Sequence, residues 1–262
     1  MSGARFAVRN LTKTFGGLVA VNDLTIEAVP GGITGIIGSN GAGKSTVFNL
    51  ISGFYKPDSG RITLDDKELT GKQPYQIAAR GVGRTFQNIR LFQGMSVMDN
   101  VRTALHQKLE YNVLHALLHL PRFRQEEKAA NQAALAALEL VGMTAYKDLT
   151  GTSLPYGLQR RLEIARALAL KPEILLLDEP AAGLNPGEVA DLVNLIRSIN
   201  KKFGLTILLI EHHMDLVASL CEKVFAMNFG QVIARGTLTE VQNNPAVLEA
   251  YLGKGAGNAQ HS

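Results

Sequence analysis

Residues 33 to 46 read ITGIIGSNGAGKST. The first five are an apolar, β-branched run of the kind that forms a strand buried on both faces. The segment that follows, VFNLISG at 47 to 53, places Val47, Leu50 and Ile51 on one helical face. Between the two, GSNGAGKST at 38 to 46 matches the pattern GxxxxGK[ST], and both flanks that the pattern requires are present. The chemistry explains the spacing. Gly38, Gly41 and Gly43 let the backbone curl so that its amides converge on a β-phosphate, Lys44 adds a point charge between β- and γ-phosphates, and Ser45 is placed to ligate magnesium. A dinucleotide fingerprint, GxGxxG, fails here because Ser39 and Asn40 separate the first two glycines.

Three further apolar runs read as parallel strands: GVGRTF at 81 to 86, EILLLD at 173 to 178 and LTILLI at 205 to 210. Helical patterns separate them, which predicts an α/β core with a mostly parallel sheet covered on both faces. In such a sheet ligands bind outside the carboxyl ends of the strands. Gln87, Asp178 with Glu179, and His212 all fall at those ends, on the same rim as the glycine-rich loop. Asp178 reads as a carboxylate that holds magnesium, and Glu179 as one that orients a water for attack on a γ-phosphate. A zinc site at His212 and His213 is a poor reading, since neighbours at a strand end point apart and neither Cys nor a third His lies near them in sequence.

The margins differ from this centre. ARFAVRNLTKTF and LTIEAV, with Gly16 and Gly17 between them, predict an antiparallel meander at the edge, and KVFAMNFGQVIARG at 223 to 236 predicts a hairpin turning at Asn228 to Gly230. Both are read as a fringe on the α/β centre. From Met95 to Leu168 strand signals give way to helical ones. There EEKAANQAALAALELVG puts Leu135, Leu138 and Val141 on one face, with Gly142 as a C-cap. A helix from Arg161 to Leu168 buries Leu162, Ala165, Leu168 and Ala169 and stops before Pro172. Its approach, Leu154-Pro155-Tyr156-Gly157-Leu158, lacks the Ser, Thr, Asp or Asn that usually satisfies the free amides there.

Composition narrows the class further. A chain of 262 residues, 46% apolar, carries enough material for a substantial core. Its uninterrupted apolar runs, such as ILLL at 174 and ILLI at 207, fall far short of the roughly 18 to 20 residues that span a bilayer. The start, MSGARFAVRN, has no apolar segment after its charges, and the lone Cys221 can form no internal disulfide; both predict a cytoplasmic chain. A net charge of +4 favours neither nucleic acid nor an acidic lipid surface.

Taken in order, these motifs resemble the ATP-binding cassette family over nearly the whole chain. GSNGAGKS resembles its Walker A, Gln87 its Q-loop, residues 154 to 158 its signature, ILLLDE its Walker B, AAGLN at 181 to 185 its D-loop and His212 its switch histidine. The resemblance implies one nucleotide-binding domain over about residues 1–252. Its P-loop core spans about 1–90 and 169–240 with an antiparallel β edge subdomain, and an inserted helical subdomain spans about 91–168; the small, polar composition of 253–262 predicts a disordered tail. It implies ATP and Mg2+ as ligands. Nucleotide contacts would come from Phe15, stacking on adenine, and from Gly38, Ser39, Asn40, Gly41, Ala42, Gly43, Lys44, Ser45 and Thr46. Magnesium would lie on Ser45, Gln87 and Asp178, and catalysis on Glu179, His212 and Gln87. A core role for Phe15 in the edge sheet is the alternative.

Two ATP molecules would be sandwiched in a head-to-tail dimer, each against the partner's signature. The usual signature is LSGGQ, so Leu154 and Gly157 match whereas Pro155, Tyr156 and Leu158 depart. Pro155 removes a serine hydroxyl that would reach the γ-phosphate, and leaves backbone amides and the helix dipole to hold the anion. RTFQNIRLFQGMSVMDNV, LDEPAAGLNPGE, LIEHHMDLV and NNPAVLEAYLG, with the long helical stretch from Leu105 to Arg124, further resemble the ATP-binding subunits of branched-chain amino-acid importers. That implies a second ATPase subunit, identical or paralogous, two transmembrane permeases, a periplasmic binding protein and a place on the cytoplasmic face of the inner membrane, with no role for nucleic acid. Leu91, Phe92 and Met95, after Gln87, suggest a surface for a short permease helix. Uptake of urea, amides or other amino acids, lipopolysaccharide transport, and soluble work on DNA or ribosomes are the alternatives.

Overall fold

The computed structural model describes residues 3–106 and 121–252. Alternating patterns near the start form an antiparallel sheet of β1 (Phe6–Phe15), β2 (Leu18–Glu27), β4 (Ser59–Leu64) and β5 (Lys67–Glu68), in the order β2-β1-β4-β5. The sequence pattern predicts only the first two of these strands. SGRITL was missed because it is short and carries only two fully buried side chains, Ile62 and Leu64.

The central sheet contains β3 (Ile33–Gly38), β6 (Val82–Arg84), β7 (Ile174–Asp178), β8 (Thr206–Ile210), β9 (Lys223–Asn228) and β10 (Gln231–Gly236). Their order is β10-β9-β3-β8-β7-β6, parallel except for β10. β7 and β8 show why these runs are apolar without interruption. Leu175, Leu177, Ile207 and Leu209 enter one hydrophobic cluster, with the helices, while Ile174, Leu176, Leu208 and Ile210 enter another, with the antiparallel sheet. Each such buried side chain contributes about 1.5–3 kcal/mol. The segment 223 to 236 does form a hairpin at the margin, with β10 the edge strand of the central sheet, and its inner strand β9 pairs in parallel with β3, from Thr34 opposite Lys223 to Gly38 opposite Met227. Local pattern identifies a hairpin and cannot say which strand it docks on.

The helix α1 (Lys44–Ile51) follows β3, and the short α2 (Pro74–Ala79) precedes β6. α3 (Val97–Leu105), α4 (Pro121–Leu140) and α5 (Tyr156–Ala169) pack on one another between β6 and β7. α4 buries Ala130, Ala134, Ala137 and Leu138, whereas Leu135 is exposed, contrary to the face expected from sequence. Small alanines let the neighbouring helices approach, so the buried stripe follows them and leaves the bulky Leu135 outside. Gly142 does terminate α4, at φ 69°, with its N–H donating to the Glu139 carbonyl (3.1 Å). α6 (Pro186–Phe203) is fixed by a capping box of Asn185 and Glu188 and ends at left-handed Gly204; α7 (Met214–Leu220), α8 (Leu238–Gln242) and α9 (Pro245–Leu252) complete the order. Most of the helical reading of 105 to 124, and the tail after Leu252, lie outside the described residues. Among those described, no helix is long and apolar enough to cross a membrane.

Candidate nucleotide site

The glycine-rich loop leaves β3 and enters α1 through Gly43, the N-cap, at φ 97°. A Cβ on Gly43 would stand 2.6 Å from the Ala20 carbonyl oxygen, so only glycine fits. Behind the loop the turn between β9 and β10 closes the cradle, the Gly230 N–H donating to the Ala42 carbonyl (3.0 Å). Lys44 folds back over the loop and donates to the carbonyls of Gly38 and Ser39, both at 2.8 Å. Burial lowers its ammonium below the ordinary lysine value, against the pull of Glu179 and Asp178. An ammonium has three donors, so one direction is left for a phosphate oxygen. Ser45 and Thr46 stand in the first turn of α1, behind Lys44, and Ser39, Asn40, Gly41 and Ala42 form the arch in front of it.

The strand ends bring the sequence-predicted residues together. Glu179 follows β7 in the left-handed region, φ 47°, a conformation that costs a non-glycine residue about 1–3 kcal/mol and persists only when neighbours enforce it. Its carboxylate is gripped on both oxygens: Gln87 Nε2 donates to Oε2 and His212 Nε2 lies against Oε1, each at 2.8 Å. One residue earlier, Asp178 is buried and takes a 3.0 Å hydrogen bond on Oδ2 from Arg84. Burial raises the Asp178 carboxyl above the ordinary aspartate value, with Arg84 opposing the shift and Glu179 adding to it. Its other oxygen, Oδ1, is buried without a hydrogen-bond partner among the described residues. A buried carboxylate oxygen left free close to Lys44 of the phosphate loop is a hard donor of the kind that a divalent cation takes.

Phe15 closes β1 and is 40% exposed, its ring edge-on to that of Tyr55 at 5.1 Å, which speaks against the core alternative. The signature residues stand apart at the start of α5. Pro155 is the N-cap itself, one place earlier than the first helical position, and its carbonyl accepts from the Leu158 and Gln159 amides at 3.0 and 3.1 Å. Leu154 is buried, Leu158 packs on the helical core, and Tyr156 is exposed. Gly157 faces Glu188 of α6, whose Oε1 would lie 2.6 Å from a Cβ there.

Sequence reading missed the residues that brace this arrangement. Arg84 Nη1 donates to the Phe48 carbonyl, Asn49 Oδ1 and Ser52 Oγ at 3.1, 2.9 and 2.8 Å, tying the end of α1 to Asp178. Arg160 joins the signature to the Q-loop: it donates to the carbonyls of Phe86 (2.7 Å) and Gln87 and to the Tyr156 hydroxyl (2.9 Å). Glu163, one turn on, takes the Arg90 amide at 3.1 Å, and burial raises its carboxyl above the usual range. Charged residues inside apolar patterns, at 84, 160 and 163, are the available signal. Of the proposed contact surface, Leu91 and Phe92 line a cleft of about 590 Å³ between β6 and α5, and Met95 is exposed but outside that lining.

A phosphate loop opening a helix, with carboxylates, an amide and a histidine at adjoining strand ends, defines a P-loop ATPase of the cassette type. Comparison with known proteins agrees. Residues 21–182 match the ABC transporter family and residues 231–257 the family described as branched-chain amino acid ATP-binding cassette transporter. The chain is 46% identical over 254 residues to the high-affinity branched-chain amino acid transport ATP-binding protein LivG of Escherichia coli K12, covering 97% of this chain and 100% of that protein. It is 45% identical to BraF of Pseudomonas aeruginosa, a protein of the same description, with the same coverage. A nucleotide-free ATP-binding cassette from an ABC transporter superposes with a TM-score of 0.82 at 32% identity, and a cassette in its ADP conformation with 0.81 at 33%, each covering 97% of this chain and all of the other. The chain belongs to the ABC transporter family.

Proposed function

We propose that this chain is the ATP-hydrolysing subunit of an importer for branched-chain amino acids, working as a dimer of cassettes on the cytoplasmic face of a membrane beneath two permease subunits. The observation that carries the substrate class is the full-length likeness to LivG and BraF, which extends through the C-terminal segment 231–257. That likeness favours amino-acid import over lipopolysaccharide transport. The amino acid itself would be read by a periplasmic binding protein and the permeases, and this chain would supply the energy.

Within that reading, the loop amides and the third donor of Lys44 hold the β- and γ-phosphates, and Phe15 offers its exposed ring to the adenine, an interaction of about 1–3 kcal/mol. Asp178 Oδ1, the Ser45 hydroxyl and Gln87 would hold Mg2+, which when bound neutralises charge on the phosphates. Glu179, oriented by Gln87 and His212, keeps a second lone pair on each oxygen and takes a proton from the attacking water. The start of α5 faces the partner's nucleotide, where the helix dipole contributes roughly 0.3–1 kcal/mol toward an anion. The cleft at Leu91 and Phe92 receives a permease helix, its apolar floor flanked by Arg90 and Arg166. The test is uptake by vesicles containing this chain, its partner cassette, both permeases and the binding protein. ATP-dependent accumulation of leucine, isoleucine or valine is expected; uptake of urea or amides in their place would overturn the substrate class.

A further inference from the structure

Glu211 follows β8 directly and is 1% exposed, yet the site just described gives it no task. Its carboxylate is surrounded by donors from two different loops. Oε1 accepts the Ala181 amide at 2.8 Å, two residues after Glu179. Oε2 accepts the amides of His212 and His213 at 2.8 and 3.2 Å and lies 3.1 Å from His213 Nδ1. One oxygen therefore holds the loop that carries Glu179, and the other holds the loop that carries His212. The same loops meet again above it, where the Glu179 amide donates to the Ile210 carbonyl at 2.9 Å and the two side chains touch. Glu179 occupies a left-handed conformation, which requires reinforcement of this kind.

We infer that Glu211 is a positioning residue: it staples the loop after β7 to the loop after β8 and so sets the contact between His212 and Glu179 on which hydrolysis depends. This rests on the reading of Glu179 as the residue that activates water. Only a carboxylate serves both loops at once. An amide offers one acceptor oxygen and turns N–H groups toward donors on the other side, so glutamine of equal volume keeps one loop and releases its neighbour.

The experiment measures ATP hydrolysis by the assembled transporter carrying Glu211→Gln, Glu179→Gln, or both. Glu211→Gln is expected to lower kcat at least tenfold while leaving KM for ATP and nucleotide affinity within twofold. In the Glu179→Gln background it should cause no further loss, because residues that act as a unit do not multiply their effects. A merely structural role would lower affinity or multiply the two losses, and either result overturns the staple. Normal hydrolysis by Glu211→Gln beside a stalled Glu179→Gln also overturns it, with the base intact. Full turnover by Glu179→Gln removes the base reading itself and the staple with it. Should Glu211→Gln fail to fold, His213→Ala withdraws one partner from the carboxylate through a half-exposed ring. It should reduce kcat two- to fivefold at constant KM, and an unchanged kcat refutes the inference.

Discussion

The glycine-rich loop and the start of α5 are both helix N-termini for which we propose a phosphate partner, and they are built in opposite ways. At the loop the conformation comes from glycines at φ 81° and 97° and from a lysine that bonds carbonyls five and six residues back. At α5 the N-cap is a proline with no side-chain cap, and what surrounds it is distant in sequence: Glu188 beside Gly157, and Arg160 reaching Phe86 across 74 residues. One is a local device, complete within its own segment. The other depends on what the fold packs around it, so it tolerates departures such as Pro155 and Tyr156 that the loop would not.

The largest effect expected on the loop side comes from Glu179→Gln. General-base contributions of about 10²–10⁴-fold set the scale of the loss in hydrolysis rate, with nucleotide binding almost unchanged. Rapid-quench hydrolysis and equilibrium binding, measured on one preparation, separate the two. Lys44→Ala comes next: removing hydrogen bonds to a charged group costs about 1.5–3 kcal/mol, or roughly 10–150-fold in nucleotide affinity. An affinity unchanged in this variant would mean that backbone amides alone make the loop a site, as argued for α5.

On the α5 side, Pro155→Ser should tighten ATP-dependent dimerisation by about 0.5–1.5 kcal/mol, roughly 2–13-fold, by restoring one hydrogen bond. The gain should survive Lys44→Ala in this chain and vanish when the partner's equivalent lysine is disabled, if the new hydroxyl faces the partner's nucleotide as proposed. A gain that tracks Lys44 would instead make the two N-termini act on one nucleotide within a single chain.

The smallest effect lies at the edge sheet, where Asp58 accepts from Lys13 Nζ and the Thr14 amide, both at 2.7 Å, just before Phe15. The side-chain bond from Lys13 first, then the Thr14 amide, holds the Asp58 carboxyl below its ordinary value of 3.8. A carboxyl depressed in the folded state stabilises above the unfolded value and loses that contribution as pH falls through the folded one. Asp58→Asn should therefore be less stable than the parent near pH 7 in urea unfolding, and the gap should narrow as pH drops below about 3.8. A gap independent of pH would mean that this edge is held by packing, as α5 is, and not by charge.

Much of the site was legible before any coordinates because its parts are local. A glycine-rich turn between a strand and a helix, and polar residues at the ends of apolar runs, declare themselves within a dozen residues. Lys44, Asp178, Glu179, Gln87 and His212 were all found this way, and the fold places them on one rim. Leu135 went wrong for the same reason: local pattern ranks bulky residues first, and the alanine face of α4 makes sense only against α3 and α5.

By itself, then, the sequence determined the parallel core, the phosphate loop and the identity of the groups at the strand ends, because backbone conformation and side-chain period act over a few residues. Only the tertiary structure decided what holds those groups in place. The bond from Arg84 to Asp178 spans 94 residues and that from Ala181 to Glu211 spans 30, and the hairpin of β9 and β10 joins the central sheet through β3, nearly two hundred residues upstream. Buried charges cost free energy unless paired, and their partners are chosen by where strands stack and not by neighbours in the chain.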